Sequence, residues 1–184
     1  MNDRASLTSL LSAFGRAYHT QNAHPPVFAD PLAKRLLTVT EYEQIGKYIL
    51  SGAGFLAPER IGQFKNETEA LTYLVNTQFA PTPIARARYC EDCLKIALRT
   101  GTTQVVLLGA GMDTAAFRLP VGANCTVFET DHPATQADKR RRIRRAGLDV
   151  PKSLQFVPVD FEKDDLSRRL HVAGFRPEKK TFFS

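Results

Sequence analysis

Residues 104–131 read QVVLLGAGMDTAAFRLPVGANCTVFETD. Gln104 to Leu108 is a short apolar run that ends abruptly in Gly109-Ala110-Gly111. A second run, Cys125 to Phe128, ends in Glu129 and Asp131. That order predicts a strand, a glycine turn, a helix, and a second strand with acids at its tip. Such a unit holds an adenosine-containing cofactor, with the turn beneath its middle and the acid on its ribose. Gly109 and Gly111 are expected to let the backbone come close to the cofactor, where a side chain would clash. The alternative is a glycine turn that serves helix–strand packing alone. Glu129 and Asp131 stand roughly 20 residues beyond the first glycine, the spacing of a ribose-binding acid. Only one of the two need bind; the other reading is an ordinary strand-end acid.

Two details of the turn argue against a dinucleotide. A pyrophosphate fingerprint has a third glycine three residues after the second. Here that position is Thr114, and Asp113 sits where backbone N–H groups would cradle a phosphate. A carboxylate there repels a pyrophosphate and favours a cationic ligand. S-adenosylmethionine carries a sulfonium and an ammonium and has no phosphate, so these residue types favour it over NAD. An NAD(P)-dependent oxidoreductase is the alternative that Asp113 speaks against.

LLGAGMDTAAFRL, followed by VFETDHPATQADKR and then VPVDF, resembles the family of S-adenosylmethionine-dependent methyltransferases that includes leucine carboxyl methyltransferase and the bacterial O-methyltransferases of polyketide pathways. Residues 12–37 and 84–94 resemble the amino-terminal part of its bacterial branch. The resemblance implies a Rossmann-like class I methyltransferase sheet, an α/β fold of strand order 3-2-1-4, behind an α-helical amino-terminal cap. It makes Asp131 the better candidate for the ribose, with Glu129 adjacent. It assigns Asp160 to the adenine amino group and Phe161 to the adenine ring, although Asp160 also reads as a helix N-cap for the following EKDD segment. Arg86 resembles the arginine that grips the cofactor carboxylate, with Arg88 as the neighbour that could be confused with it. A guanidinium makes that contact bidentately, which lysine cannot. Arg118 reads as structural. The implied activity is methyl transfer to a small-molecule acceptor, a carboxylate or a polyketide-like compound.

Members of that family run on past their fourth strand, whereas this chain stops at Thr181-Phe182-Phe183-Ser184. The expectation is a fragment or a truncated product, with residues 101–184 forming the first half of the cofactor-binding domain and residues 1–100 a helical cap. Strand one would then expose an unpaired apolar edge. A partner chain, or self-association, could complete that edge, and a cofactor-binding or interaction module without catalysis is the second reading.

Composition bounds these readings. At 184 residues, 43% hydrophobic, the chain is long enough for one domain with a sizeable core. No apolar run approaches the ~18–20 residues of a membrane span. The first residues lack the pattern of a signal peptide. Three cysteines give no disulfide framework and suggest a reducing cytoplasm. The net charge of +6 is concentrated in Lys139, Arg140, Arg141, Arg142, Arg144 and Arg145. No aromatic residue interleaves that run, so it reads as a solvated helix face, and no nucleic acid is expected. Cys90 and Cys93 form a CxxC, but a zinc site needs two further ligands, and only Cys125 and four scattered histidines are available. The pair reads as small core residues on a helix, and no metal is expected.

Along the chain, the first hundred residues read as helices. Leu7, Leu10, Leu11 and Phe14 form a helical stripe after Asp3. Asp30-Pro31 reads as an N-cap followed by proline. Thr40 with Glu43 reads as a capping box. Thr82-Pro83 opens a helix that Gly101 stops. Tyr18, His19 and Phe28 could belong to a lid. Beyond residue 103, strands near 104–108, 125–129 and 154–159 alternate with helices near 113–118, 133–146 and 164–173. That spacing implies a parallel sheet with right-handed crossovers. Pro158 requires strand three to be an edge. His132 could be a base but reads as a residue fixed beside Pro133 at a helix start. No catalytic residue can be named, and a carboxylate acceptor needs no base, since it is already ionised at neutral pH.

Overall fold

The computed structural model describes residues 6–118 and 124–184; Asp3 lies outside them. The chain divides into two units, Thr8–Arg88 and Tyr89–Ser184, the latter taking Leu7 as well.

The first unit is helical. It contains α1 (Leu7–Asn22), α2 (Ala33–Leu36), α3 (Val39–Ser51), α4 (Ala53–Leu56), a 3-10 turn at Pro58–Arg60, α5 (Glu67–Leu74), a π-helix at Val75–Phe79, and the start of α6 (Pro81–Arg99). The stripe on α1 turns inward only gradually: Phe14 is buried, Leu10 and Leu11 are half-buried, and Leu7 is exposed. The Phe14 ring packs on Tyr18 and Tyr42, with centroids 5.7 and 4.7 Å apart. Asp30 braces the turn before α2 and is not the helix's N-cap residue, which is Leu32; it accepts the N–H groups of Leu32 and Ala33 at 3.2 and 3.0 Å. It also holds a buried ion pair with Arg16 at 2.9 Å. The capping box lies two residues earlier than expected. Thr38 and Glu41 form it, each side chain accepting the other's backbone N–H, and α3 starts at Val39. Gly101, at φ +91°, follows the end of α6 in a conformation that suits glycine.

The second unit is the α/β part. It runs β1 (Gln104–Leu108), α7 (Ala115–Arg118), β2 (Thr126–Asp131), α8 (Pro133–Arg145), β3 (Leu154–Pro158), α9 (Leu166–Val172) and β4 (Thr181–Phe183). The sheet order is β3-β2-β1-β4 with every pairing parallel, as the strand–helix alternation requires. Pro158 lies on β3, which among the described residues pairs only with β2 and so needs no ladder N–H on its free side.

β1 does not expose the edge expected of it. Gln104, Val105 and Val106 lie opposite Thr181, Phe182 and Phe183. Ser184 continues the ladder, donating its N–H to Val106 O at 3.0 Å and accepting that of Leu108 at 2.7 Å. Four residues suffice because β1 itself is only five residues long.

Both faces of the sheet are covered, which explains why β1 reads as a continuous apolar run. On one face Val105, Leu107, Val127 and Leu154 pack with Leu94 and Ala116. On the other, Val106, Phe128, Val157 and Val159 pack with Leu170, and Phe175 lies against them. Burying each large side chain contributes about 1.5–3 kcal/mol. Among the described residues no helix is long and apolar enough to cross a membrane.

Candidate functional site

The carboxyl ends of β1, β2 and β3 carry the expected residues, because a parallel sheet presents all its strand tips to one side. At the end of β1, Gly109 and Gly111 have φ of +65° and +50°. Residues with a Cβ rarely adopt that region, so the turn requires glycine on conformational grounds alone. A Cβ built on Gly109 would meet no atom within 4 Å. The space above the turn is therefore open, and a side chain there would fill it.

Asp131, at the tip of β2, is tied to this turn. Its Oδ2 accepts the Gly111 N–H at 2.5 Å and its Oδ1 accepts the His132 N–H at 2.7 Å. The backbone of the same residue is pinned to the neighbouring strand, its carbonyl accepting Val159 N–H at 2.8 Å. His132 sits at the N-cap of α8, where its Nδ1 accepts the Ala134 N–H at 3.3 Å. That agrees with its reading as a fixed residue at a helix start.

Glu129 is two residues back along β2, and its side chain turns into the protein. Its Oε2 pairs with Lys139 Nζ at 2.6 Å, with both side chains 1% exposed. Its Oε1 is buried without a hydrogen-bond partner. Both oxygens are thus turned away from solvent, one of them against Lys139. Burial pushes the Glu129 carboxyl up, Lys139 pulls it down, and the neighbouring charges of Asp113 and Asp131 push it up further.

Asp160, just past β3, forms a local turn. It accepts the Glu162 N–H at 3.1 Å and Lys163 Nζ at 2.9 Å, and its own N–H donates to Asp164 at 2.8 Å. The hydrogen bond from Lys163 and the Glu162 N–H hold its carboxyl below the usual aspartate value, and the charge of His132 adds to this. The N-cap of α9 is Asp165, so Asp160 caps the turn before that helix and not the helix itself. Phe161 beside it is 49% exposed, an aromatic ring left at the surface next to a polar turn.

Asp113 accepts the Ala115 N–H at 2.6 Å, which leads the chain into α7. Arg118 is structural, as expected: its Nη2 pairs with Glu91 Oε1 and its Nε donates to Thr114 at 2.8 Å. Arg86 and Arg88 belong to the helical unit. Both are exposed, and Arg88 donates to the Val27 carbonyl at 3.0 Å.

Two sequence expectations need correcting. The basic run is not uniformly solvated: Lys139 faces Glu129, and Arg142 is 8% exposed and pairs with Asp138 at 2.5 Å. Cys90 and Cys93 are half-buried and not core residues. Cys90 Sγ lies 3.0 Å from Ser184 Oγ, and burial pushes its thiol up, so it is a poor nucleophile. Within the helical unit, Tyr18 and Phe28 are buried, and Tyr18 is bonded to Thr72 at 2.8 Å. Among the described residues no group of three or more His, Cys, Asp or Glu could hold a metal ion. The residue that sequence reasoning missed is Lys139. With Gln136 it lies one turn apart on α8, on the face toward β2. Counting helical phase from Pro133 could have separated both from the exposed arginines.

A model of the leucine carboxyl methyltransferase family matches residues 9–184, and the chain belongs to that family. It is 43% identical over 184 residues to YktD of Bacillus subtilis, named as a candidate S-adenosyl-L-methionine-dependent methyltransferase, with 99% of this chain and 60% of that protein covered. Similarly named proteins of Mycolicibacterium paratuberculosis and Mycolicibacterium smegmatis are each 31% identical, over 177 and 169 residues. These alignments cover 95% and 91% of this chain and 51% of each relative. The chain thus spans between half and two thirds of the length of these curated relatives.

Proposed function

We propose that the protein binds S-adenosylmethionine at the carboxyl ends of β1 to β3 and serves as an O-methyltransferase, or as its amino-terminal portion, acting on a carboxylate or polyketide-like small molecule. The observation that carries this reading is the bond between Asp131 and Gly111, which sets a strand-end acid directly against a glycine turn with open space above Gly109. Asp113 and Asp131 make the surroundings of that turn anionic, which suits a cofactor with two cationic groups and disfavours a pyrophosphate.

In this reading Asp131 accepts the ribose hydroxyls, Asp160 accepts the adenine amino group, and the exposed Phe161 ring lies against the adenine. Gly109 and Gly111 leave room for the methionine part. Arg86 is assigned to the cofactor carboxylate by family resemblance. Glu129 acts from behind the site and does not touch the ligand. The cofactor supplies a methyl group on a sulfonium, already an excellent leaving group. What remains for the protein is in-line positioning of the acceptor oxygen. A carboxylate acceptor arrives ionised, at a pKa of roughly 4, and needs no general base.

Calorimetric titration with S-adenosylhomocysteine tests the binding. Methyl-labelled cofactor tests the acceptor class, since label transferred to a carboxylate is released by mild base as methanol and label on a phenol is not.

The reading as an interaction module loses the support of an open β1. Among the described residues the strands that pair on one side only are β3, which carries Pro158, and β4. A further strand or a partner chain would add at β4, and size-exclusion chromatography of the protein distinguishes a monomer from a self-associating form.

A further inference from the structure

Lys139 is the most deeply buried cation of the basic run, with a side chain 1% exposed. Its ammonium lies 2.6 Å from Glu129 Oε2. One helical turn earlier, Gln136 Nε2 donates to the backbone carbonyl of Glu129 at 2.9 Å. Two side chains of α8 thus hold one residue of β2, by its carboxylate and by its main chain. The second carboxylate oxygen, Oε1, is buried with no partner, so Lys139 is the only hydrogen-bond donor that this carboxylate has among the described residues. Asp131 on the same strand and Asp113 in the turn after β1 both bear on it as like charges. Glu129 and Asp131 are two residues apart on β2 and therefore face the same side of the sheet. A disturbance at Glu129 is passed within one strand repeat to the residue that holds Gly111.

We propose that Lys139 is a positioning residue of the cofactor site: by compensating the buried Glu129 it fixes the β2 tip so that Asp131 meets the glycine turn. The inference rests on the cofactor reading above. Without Lys139, Glu129 is a buried carboxylate with no donor at either oxygen beside two other acids. Such a group is tolerated only when it takes up a proton, and ionising it expels it toward water. The site then becomes sensitive to pH in a range where the intact pair is not. The charged groups around Glu129 are Lys139 from α8, Asp113 from the turn and Asp131 from its own strand. The variant leaves the two acids in place, so nothing else neutralises it.

The test is calorimetric titration of the protein with S-adenosylhomocysteine at pH 6, 7.5 and 9, for the wild type, Lys139→Met and Lys139→Met/Glu129→Gln, each reported relative to the wild type at that pH. Lys139→Met should bind within about threefold of the wild type at pH 6 and at least about tenfold more weakly at pH 9. The double variant, with no charge to compensate, should stay within about threefold at every pH. A Lys139→Met affinity equal to the wild type throughout would overturn the inference. So would a loss that is uniform in pH and unrepaired by Glu129→Gln, since that is what damaged packing alone produces. If Lys139→Met does not fold, the double variant decides: folded and binding supports the inference, folded without binding contradicts it. A wild type that does not bind S-adenosylhomocysteine would instead overturn the cofactor reading, and this inference with it.

Discussion

Asp131 and Gly111 are joined by a 2.5 Å hydrogen bond from the glycine N–H to the carboxylate, so the acid at the end of β2 and the turn at the end of β1 form one object. Through this bond each feature fixes the other's position. Replacing Asp131 by Ala removes both the acceptor for the ribose and the brace on the turn. Affinity for S-adenosylhomocysteine should fall by about 1–3 kcal/mol, the cost of leaving hydrogen-bonding groups unpaired. Asp131→Asn keeps one carbonyl oxygen for Gly111 and should lose less. Calorimetry on the two variants checks this, and equal losses would mean that the brace contributes nothing.

Gly109 separates conformation from space. Its φ of +65° disfavours any Cβ, yet a Cβ there would touch nothing in the protein. Gly109→Ala should therefore cost about 1–2 kcal/mol of stability through backbone strain. Its effect on cofactor affinity should be larger, because the methyl group enters the space assigned to the ligand. Thermal melts and titrations of the same sample compare the two effects. A binding loss no greater than the stability loss would place the cofactor elsewhere.

Asp160 predicts a pH dependence. Lys163 and the Glu162 N–H hold its carboxyl below the ordinary value of 3.8. A depressed carboxyl contributes stability that is present above its unfolded pKa and is lost as pH falls through the folded one. The turn at Asp160 should hold from neutral pH down to below 3.8 and loosen only under stronger acid. Carbon-detected NMR titration of the Asp160 carboxyl should show the low value, and Lys163→Met should move it back up. An unchanged titration in that variant would remove Lys163 as the cause.

In the helical unit, Asp30 combines a buried pair with Arg16 and two capped N–H groups. Removing one partner of such a pair leaves a buried charge uncompensated, at a cost of about 3–5 kcal/mol. Asp30→Ala should therefore lower the stability of the protein by about that amount in urea unfolding. A loss under about 1 kcal/mol would show that Arg16 finds water instead.

Much of the α/β part was legible because its signals are local. A five-residue apolar run closed by glycine, a second run closed by acids, and a proline in the third strand mark the strands and one edge, while the order came from the family resemblance, and the sheet agrees with both. Phase was harder to read. TVTEYE contains two overlapping box patterns, Thr38 with Glu41 and Thr40 with Glu43, and only the start of α3 selects the first. The charge run from Lys139 to Arg145 looked uniform, whereas helical rotation sends Lys139 and Arg142 inward and leaves Arg140 and Arg141 outside. Glu129 was equally hidden. Its spacing from the turn says nothing of the buried partner that it meets on α8.

Arg86 offers a comparison by charge-conserving substitution. Both it and Arg88 are exposed, and Arg88 is bonded to the Val27 carbonyl. If Arg86 grips the cofactor carboxylate through both arms of its guanidinium, Arg86→Lys should weaken binding although net charge is unchanged. Arg88→Lys should alter stability and leave affinity nearly untouched. Equal affinity losses in both would point to general electrostatics and remove Arg86 from the site.

The central claim, that the turn at Gly109 and the acid at Asp131 hold S-adenosylmethionine, is tested most directly by parallel calorimetric titrations of the protein with S-adenosylhomocysteine and with NAD. The account predicts saturable binding of one S-adenosylhomocysteine per chain, weakened by Asp131→Ala, and no binding of NAD under the same conditions. Binding of NAD without binding of S-adenosylhomocysteine would contradict it.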